Sequence, residues 1–191
     1  MSLEGKKVII LAEDNYQELE LWYPFFRLKE EGAEVKVVGS GSRTTFTSKT
    51  GYPVTVDLSA TEVNMTHYDG IIIPGGYAPD IMRRYPSMVK LVSDACNQGK
   101  VIGAICHAGW MLVSAGILKG KKATCFFAIR DDLINAGAEY IDQEVVRDGN
   151  LITSRTPDDL PAFCREIVQA LRGWQAKASL ERGGRRLLGS V

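Results

Sequence analysis

The sequence predicts an α/β domain: a mainly parallel sheet covered by helices on both faces. Three observations carry this. Strand and helix signals alternate along most of the 191 residues. The strand candidates are short unbroken apolar runs, as expected for parallel strands buried on both faces. One of them, at 101–105, runs directly into Cys106 and His107 and then into an apolar run of helical length at 108–115. That strand, sharp turn and helix is the layout of a nucleophile elbow.

The elements follow in order. Residues 8–12 are a continuous apolar strand. Residues 16–31 have helical spacing, with Tyr16, Leu19, Tyr23 and Phe26 near one face and Gly32 as the stop. Pro24 lies inside that helix, cannot donate to the Glu20 carbonyl, and should kink it. Residues 35–38 are the next strand. Residues 43–56 read as a β excursion in which 44–47 and 54–56 form a small antiparallel piece. Residues 71–73 are a short buried strand running into Pro74-Gly75-Gly76. A helix at 88–97 is closed by Gly99, and the elbow strand follows. Residues 151–154 are a further strand. A final helix at 157–174 has Pro at its first turn and the stripe Leu160, Phe163, Cys164, Ile167, Val168, Leu171. One domain is expected over 1–174. Residues 175–191, with Gly183-Gly184 and Arg185-Arg186, are expected to be a loosely ordered basic tail.

Bulk properties exclude several function classes. Lys and Arg together number 23, as do Asp and Glu, so the formal net charge is zero. That argues against nucleic acid or an acidic membrane as the main partner. No apolar run is long enough to cross a bilayer, and the first residues lack the order of a signal peptide, so a cytoplasmic location is expected. The four cysteines, at 96, 106, 125 and 164, show no CxxC spacing. They suggest neither a disulfide framework nor zinc, and no metal or cofactor is expected.

In open α/β sheets ligands sit beyond the carboxyl ends of the strands. The loop after Ala12, the Pro74-Gly75-Gly76 turn, Cys106 and Ser154-Arg155 all fall at such ends and define one candidate site. Cys106 is the candidate nucleophile, its pKa expected to fall below about 8.5 at a helix N-terminus. Cys96 and Cys164 fit core stripes, and Cys125 is ambiguous. His107 suits general acid or base work, whereas His67 lies in a polar stretch and reads as a surface residue. Gly75 and Gly76 can offer backbone N–H groups to a developing oxyanion. Arg155 is the candidate substrate-binding cation. Glu20 lies at the edge of the apolar stripe: either a solvated helix glutamate, the reading the residues alone favour, or a protonated carboxyl donating to the sulfur.

The chain resembles the ThiJ/PfpI family. The resemblance rests on Gln17-Glu18-Leu19-Glu20-Leu21, on Ile73-Pro74-Gly75-Gly76-Tyr77-Ala78-Pro79-Asp80, on Ala104-Ile105-Cys106-His107, and on residues 150–161. It implies a flavodoxin-like three-layer α/β/α sandwich, related to class I glutamine amidotransferases. It implies Cys106 as nucleophile, Glu20 as the buried carboxyl touching it, and Gly76 and His107 as oxyanion donors. It also implies that His107 pairs with an acid, at Asp80, from a neighbouring subunit of a homodimer or hexamer. The resemblance points to a cysteine-dependent hydrolase acting on small peptides or amides. The same residues would also serve a glyoxalase or deglycase acting on methylglyoxal or its adducts, or a redox-sensing stress protein or chaperone. The sequence departs from the family pattern at Gln17, where a second glutamate is common, and at Phe126, where some members have tyrosine. A third departure is His107-Ala108-Gly109-Trp110, where His-Gly-Pro is common.

Overall fold

The computed structural model describes residues 2–173, so Trp174 and the expected tail at 175–191 lie outside the described residues. β1 (Lys7–Ala12) leads through a loop to α1 (Glu18–Glu30) and β2 (Glu34–Gly39). β3 (Thr45–Thr47) and β4 (Pro53–Thr55) pair antiparallel as the expected excursion, and the two-residue β5 (Leu58–Ser59) returns to the sheet. β6 (Gly70–Ile73), α2 (Ala78–Met82), α3 (Pro86–Asn97) and β7 (Val101–Ile105) follow. Then come α4 (Gly109–Ser114), β8 (Lys122–Ala123), α5 (Arg130–Asn135) and β9 (Glu139–Tyr140). β10 (Val145–Asp148), β11 (Leu151–Ser154) and α6 (Leu160–Gly173) complete the fold.

The main sheet has the order β10-β11-β7-β6-β1-β2-β5, parallel throughout except for β10 against β11. Helices flank it, which makes the flavodoxin-like α/β sandwich that was expected. The apolar runs explain the arrangement. Ile9, Ile10, Leu11, Ile71, Ile72, Ile73, Val101 and Ile105 are all fully buried. Each such side chain contributes about 1.5–3 kcal/mol against the conformational entropy lost on folding. The chain steps outward from β1 to β2 and then crosses to β6 on the other side. The crevice between β1 and β6 is therefore the topological switch point, where ligands bind in such sheets.

The final helix matches its expected stripe: Leu160, Phe163, Cys164, Ile167, Val168 and Leu171 are all buried. Its first turn, at 157–159, is a 3-10 turn, so the α-helix starts three residues later than expected. In α1 the expected face is wrong. Leu19 is 56% and Phe26 62% exposed, while Glu20, Leu21, Pro24 and Leu28 are buried. This helix carries apolar residues on two sides, and periodicity alone cannot tell which side meets the sheet. Trp22 stacks on Phe26 and meets Phe25 and Tyr52 edge-on, and Phe25 meets Phe26 edge-on.

Candidate active site

Cys106 occupies the first position beyond β7 with φ +63°, a left-handed conformation rare for a residue bearing a side chain. Holding it there costs about 1–3 kcal/mol, so the surroundings must impose it. They do: β7 is buried over its whole length, and the Cys106 carbonyl accepts the Phe126 N–H at 3.2 Å. This is the strained turn expected of an elbow. The helix behind it is weaker than expected. Residues 106–108 form a 3-10 turn, and α4 is only six residues long.

The Pro74-Gly75-Gly76 turn at the end of β6 faces this cysteine. A Cβ on Gly75 would lie 2.7 Å from Cys106 Cβ, 2.7 Å from Glu20 Oε2 and 2.9 Å from the His107 nitrogen. Only glycine lets these three groups converge. The Gly75 N–H donates to Glu20 Oε2 at 2.7 Å. That corrects one expectation: the Gly75 amide is occupied by Glu20 and is not an oxyanion donor. The amides of Gly76 and His107 are directed at the Cys106 sulfur and act to lower its pKa.

Glu20 is fully buried, in the first turn of α1. Gln17 positions that turn as its N-cap, the side chain accepting the Glu20 N–H at 3.0 Å. The residue where a second glutamate was expected thus serves the helix start. Glu20 Oε1 is buried without a geometric hydrogen-bond partner, and Cys106 is the side chain coupled to this carboxyl. Burial raises the Glu20 pKa to about 7, against lowering contributions from the Gly75 amide, Cys106 and Lys49. Burial first, and then the Glu20 carboxylate, push the Cys106 thiol up to about 12. The expected lowering by a helix N-terminus is therefore corrected: α4 is short, and burial beside a carboxylate outweighs it. The two groups titrate as a pair. A proton on Glu20 removes the charge that opposes the thiolate.

His107 Nδ1 lies 3.3 Å from Cys106 Sγ. Its ring sits among Phe126, Trp110 and Tyr77, with centroid separations of 4.9, 5.2 and 6.0 Å. Burial and the nearby Lys49 charge lower its pKa, which keeps the imidazole neutral. No carboxylate of the described residues acts on it. Asp80 lies in α2 and pairs with Arg84. Arg155 is also elsewhere engaged: its guanidinium grips Asp159 through Nε and Nη2 and Asp142 through Nη1. The expected substrate cation is thus a clamp that ties the end of β11 to the start of α6. His67 is exposed, as expected. Among the described residues no group of three or more His, Cys, Asp or Glu could hold a metal ion. None of their helices is long and apolar enough to cross a membrane.

The DJ-1/PfpI family model matches residues 6–170. The chain belongs to the DJ-1/PfpI family. A deglycase of Thermococcus kodakarensis is 49% identical over 166 residues, covering 87% of this chain and 99% of that protein. The deglycase PfpI of Pyrococcus furiosus is 45% identical over the same length, with the same coverage of each chain. A crystal structure from Anabaena variabilis, a two-domain protein with DJ-1/ThiJ/PfpI-like and ferritin-like domains, superposes with a TM-score of 0.85 at 44% identity. That match covers 87% of this chain but only 48% of the longer one. Within the DJ-1/PfpI family this chain is an enzyme of the deglycase or cysteine-hydrolase kind.

Two features of this DJ-1/PfpI site escaped sequence reasoning. Lys49, on the excursion between β3 and β4, acts on both Glu20 and His107. Its place is fixed by its N–H donating to the Tyr16 carbonyl at 3.1 Å, a contact with no local sequence signal. The aromatic surround of His107 was half visible. Trp110 and Phe126 stood out as family departures, but nothing linked them to Tyr77, which is 65% exposed at the mouth of the site.

Proposed function

We propose that this chain is a thiol-dependent deglycase, freeing an amine from a 2-oxoaldehyde adduct of which the methylglyoxal adduct is the simplest. The observation that carries this reading is the buried Glu20–Cys106 pair, in which burial brings the carboxyl to about 7 beside the thiol, the range in which it can take up and return a proton. Cys106 gives its proton to Glu20 and its sulfur adds to the aldehyde-derived carbon. The C–N bond breaks, and the amine leaves with the proton from Glu20. In the resulting hemithioacetal a proton moves from the first carbon to the second, with Glu20 or neutral His107 as base. This gives a lactoyl thioester. Water cleaves it to lactate and free thiol, while the Gly76 and His107 amides hold the oxyanion. In sum, one adduct and one water give one amine and one lactate.

The names of the relatives favour this reading over the peptidase first suggested by the resemblance. The peptidase reading becomes the better one if Asp80 of a second copy reaches His107, which would also make the active form a homo-oligomer.

One preparation tests both. The chain is given methylglyoxal-treated N-acetyl-lysine and, separately, a peptide amide, with Cys106→Ala as control. Amine and lactate released in equal amounts by the parent alone support the deglycase. Cleavage of the peptide amide alone overturns it. Blank results for both, with selective peroxide oxidation of Cys106, favour the redox sensor.

A further inference from the structure

A pocket of about 280 Å³ beside Trp110 is lined by Arg83, Trp110, Val113, Asp132, Asn135 and Ala136. Arg83 follows α2 and is half-buried there. Its Nε donates to Ser114 Oγ at 2.9 Å, and its guanidinium carbon lies 6.0 Å from the centre of the Trp110 ring. Among the described residues no carboxylate pairs with it. The one acid among the lining residues, Asp132, accepts the Trp110 Nε1–H at 2.7 Å, which fixes the indole. The same indole lies 5.2 Å from the His107 ring. Trp110 therefore lies against both the His107 ring and a held cation.

We infer that this pocket is a substrate subsite in which Arg83 binds a carboxylate of the molecule whose adduct reacts at Cys106. The inference rests on the deglycase reading and names its substrate class: short acids, such as a free amino acid or the C-terminal end of a small peptide. Ser114 holds Nε, which leaves the two terminal nitrogens of the fork to meet a planar carboxylate. Asp132 at the rim offsets part of the Arg83 charge, which suits a monoanion and opposes a phosphate dianion. The distance also suits such a molecule. The two ring separations cap the span from the His107 ring to the Arg83 guanidinium at roughly 11 Å, about three extended residues. An adduct on a long side chain and the carboxylate of the same amino acid fit within that reach.

The test compares N-acetyl-lysine with N-acetyl-lysinamide, which differ only in the carboxylate. Each is first used unmodified, to protect Cys106 from iodoacetamide in the full chain, so that the readout needs no turnover. The acid should protect at a concentration at least about tenfold lower than the amide, the effect of one charge-assisted hydrogen bond. Arg83→Met should bring that ratio to about one, and Arg83→Lys should restore part of it. The methylglyoxal adducts of both are then assayed, and Arg83→Met should raise KM for the acid with little change in its kcat. Equal protection by acid and amide in the parent overturns the subsite. So does a ratio that survives in Arg83→Met. If neither adduct turns over but the acid still protects through Arg83, the deglycase reading fails and the carboxylate subsite stands.

Discussion

Gly75 donates its N–H to Glu20 Oε2 at 2.7 Å, and this bond holds the carboxyl of α1 against the Cys106 thiol at the end of β7. Three elements far apart in sequence meet at one proton.

Glu20 should make stability fall as pH rises. Burial lifts its carboxyl from 4.5 to about 7, so the folded chain keeps a proton that the unfolded chain releases between those values. The stability contributed by the protonated form is complete below about pH 4.5 and is lost as pH rises through about 7. The loss is on the order of 3 kcal/mol. Glu20→Gln cannot ionise and should lack this slope. Urea unfolding of both proteins at pH 5 and pH 8 checks it: the variant should gain on the parent at pH 8. A constant difference between them would mean that the carboxyl does not titrate in the fold.

Gly75→Ala should abolish turnover. The added methyl collides with Cys106 Cβ, Glu20 Oε2 and the His107 backbone at once, and Cys106 Cβ and the His107 nitrogen cannot give way without moving the elbow itself. A fall of more than about 100-fold in kcat/KM is expected, with a stability loss of about 1–3 kcal/mol. Gly103→Ala is the contrast, because its methyl meets only the core side chains Ile167, Ile72 and Phe163. It should lower the melting temperature while sparing the chemistry of the protein that remains folded.

Arg155→Met should cost stability rather than substrate affinity. Asp159 is 6% exposed and would lose both guanidinium bonds. A loss of about 2–3 kcal/mol is expected for a mostly buried carboxylate left without its partner. KM should change less than twofold. A large rise in KM with an unchanged melting temperature would return Arg155 to the substrate.

Asp80 is tested by mixing. Cys106→Ala should be inactive, and Asp80→Ala should be impaired only if its carboxylate serves His107 of another subunit. Co-refolding the two should recover part of the activity if Asp80 of one subunit orients His107 of another. Mixed oligomers that form and stay inactive would remove Asp80 from that role.

Much of the fold was legible because buried parallel strands are written as unbroken apolar runs. β7 and β11 fall where those runs fall, and the α6 stripe faces inward as its spacing requires. The inner face of α1 was not legible. Leu19, Tyr23 and Phe26 look like core residues, yet it is Leu21, Pro24 and Leu28 that meet the sheet. The short elements β5, β8 and β9 carry too few residues for any period. In the site, Cys106, His107 and the glycines announced themselves by type and position. Which glycine amide was free, and that Lys49 stands nearby, depend on contacts between distant segments, and no local pattern encodes them.

The central claim is that Glu20 and Cys106 share a proton, and the rate of Cys106 alkylation against pH tests it most directly. Above about pH 7 the parent carries a Glu20 carboxylate that opposes the thiolate. Glu20→Gln removes that charge, so at pH 8 its Cys106 should react with iodoacetamide about tenfold faster, one pKa unit. Without a group to carry the proton, its turnover of the methylglyoxal adduct should fall about 100-fold. Superimposable alkylation curves for the two proteins, or full turnover by the variant, would contradict the account.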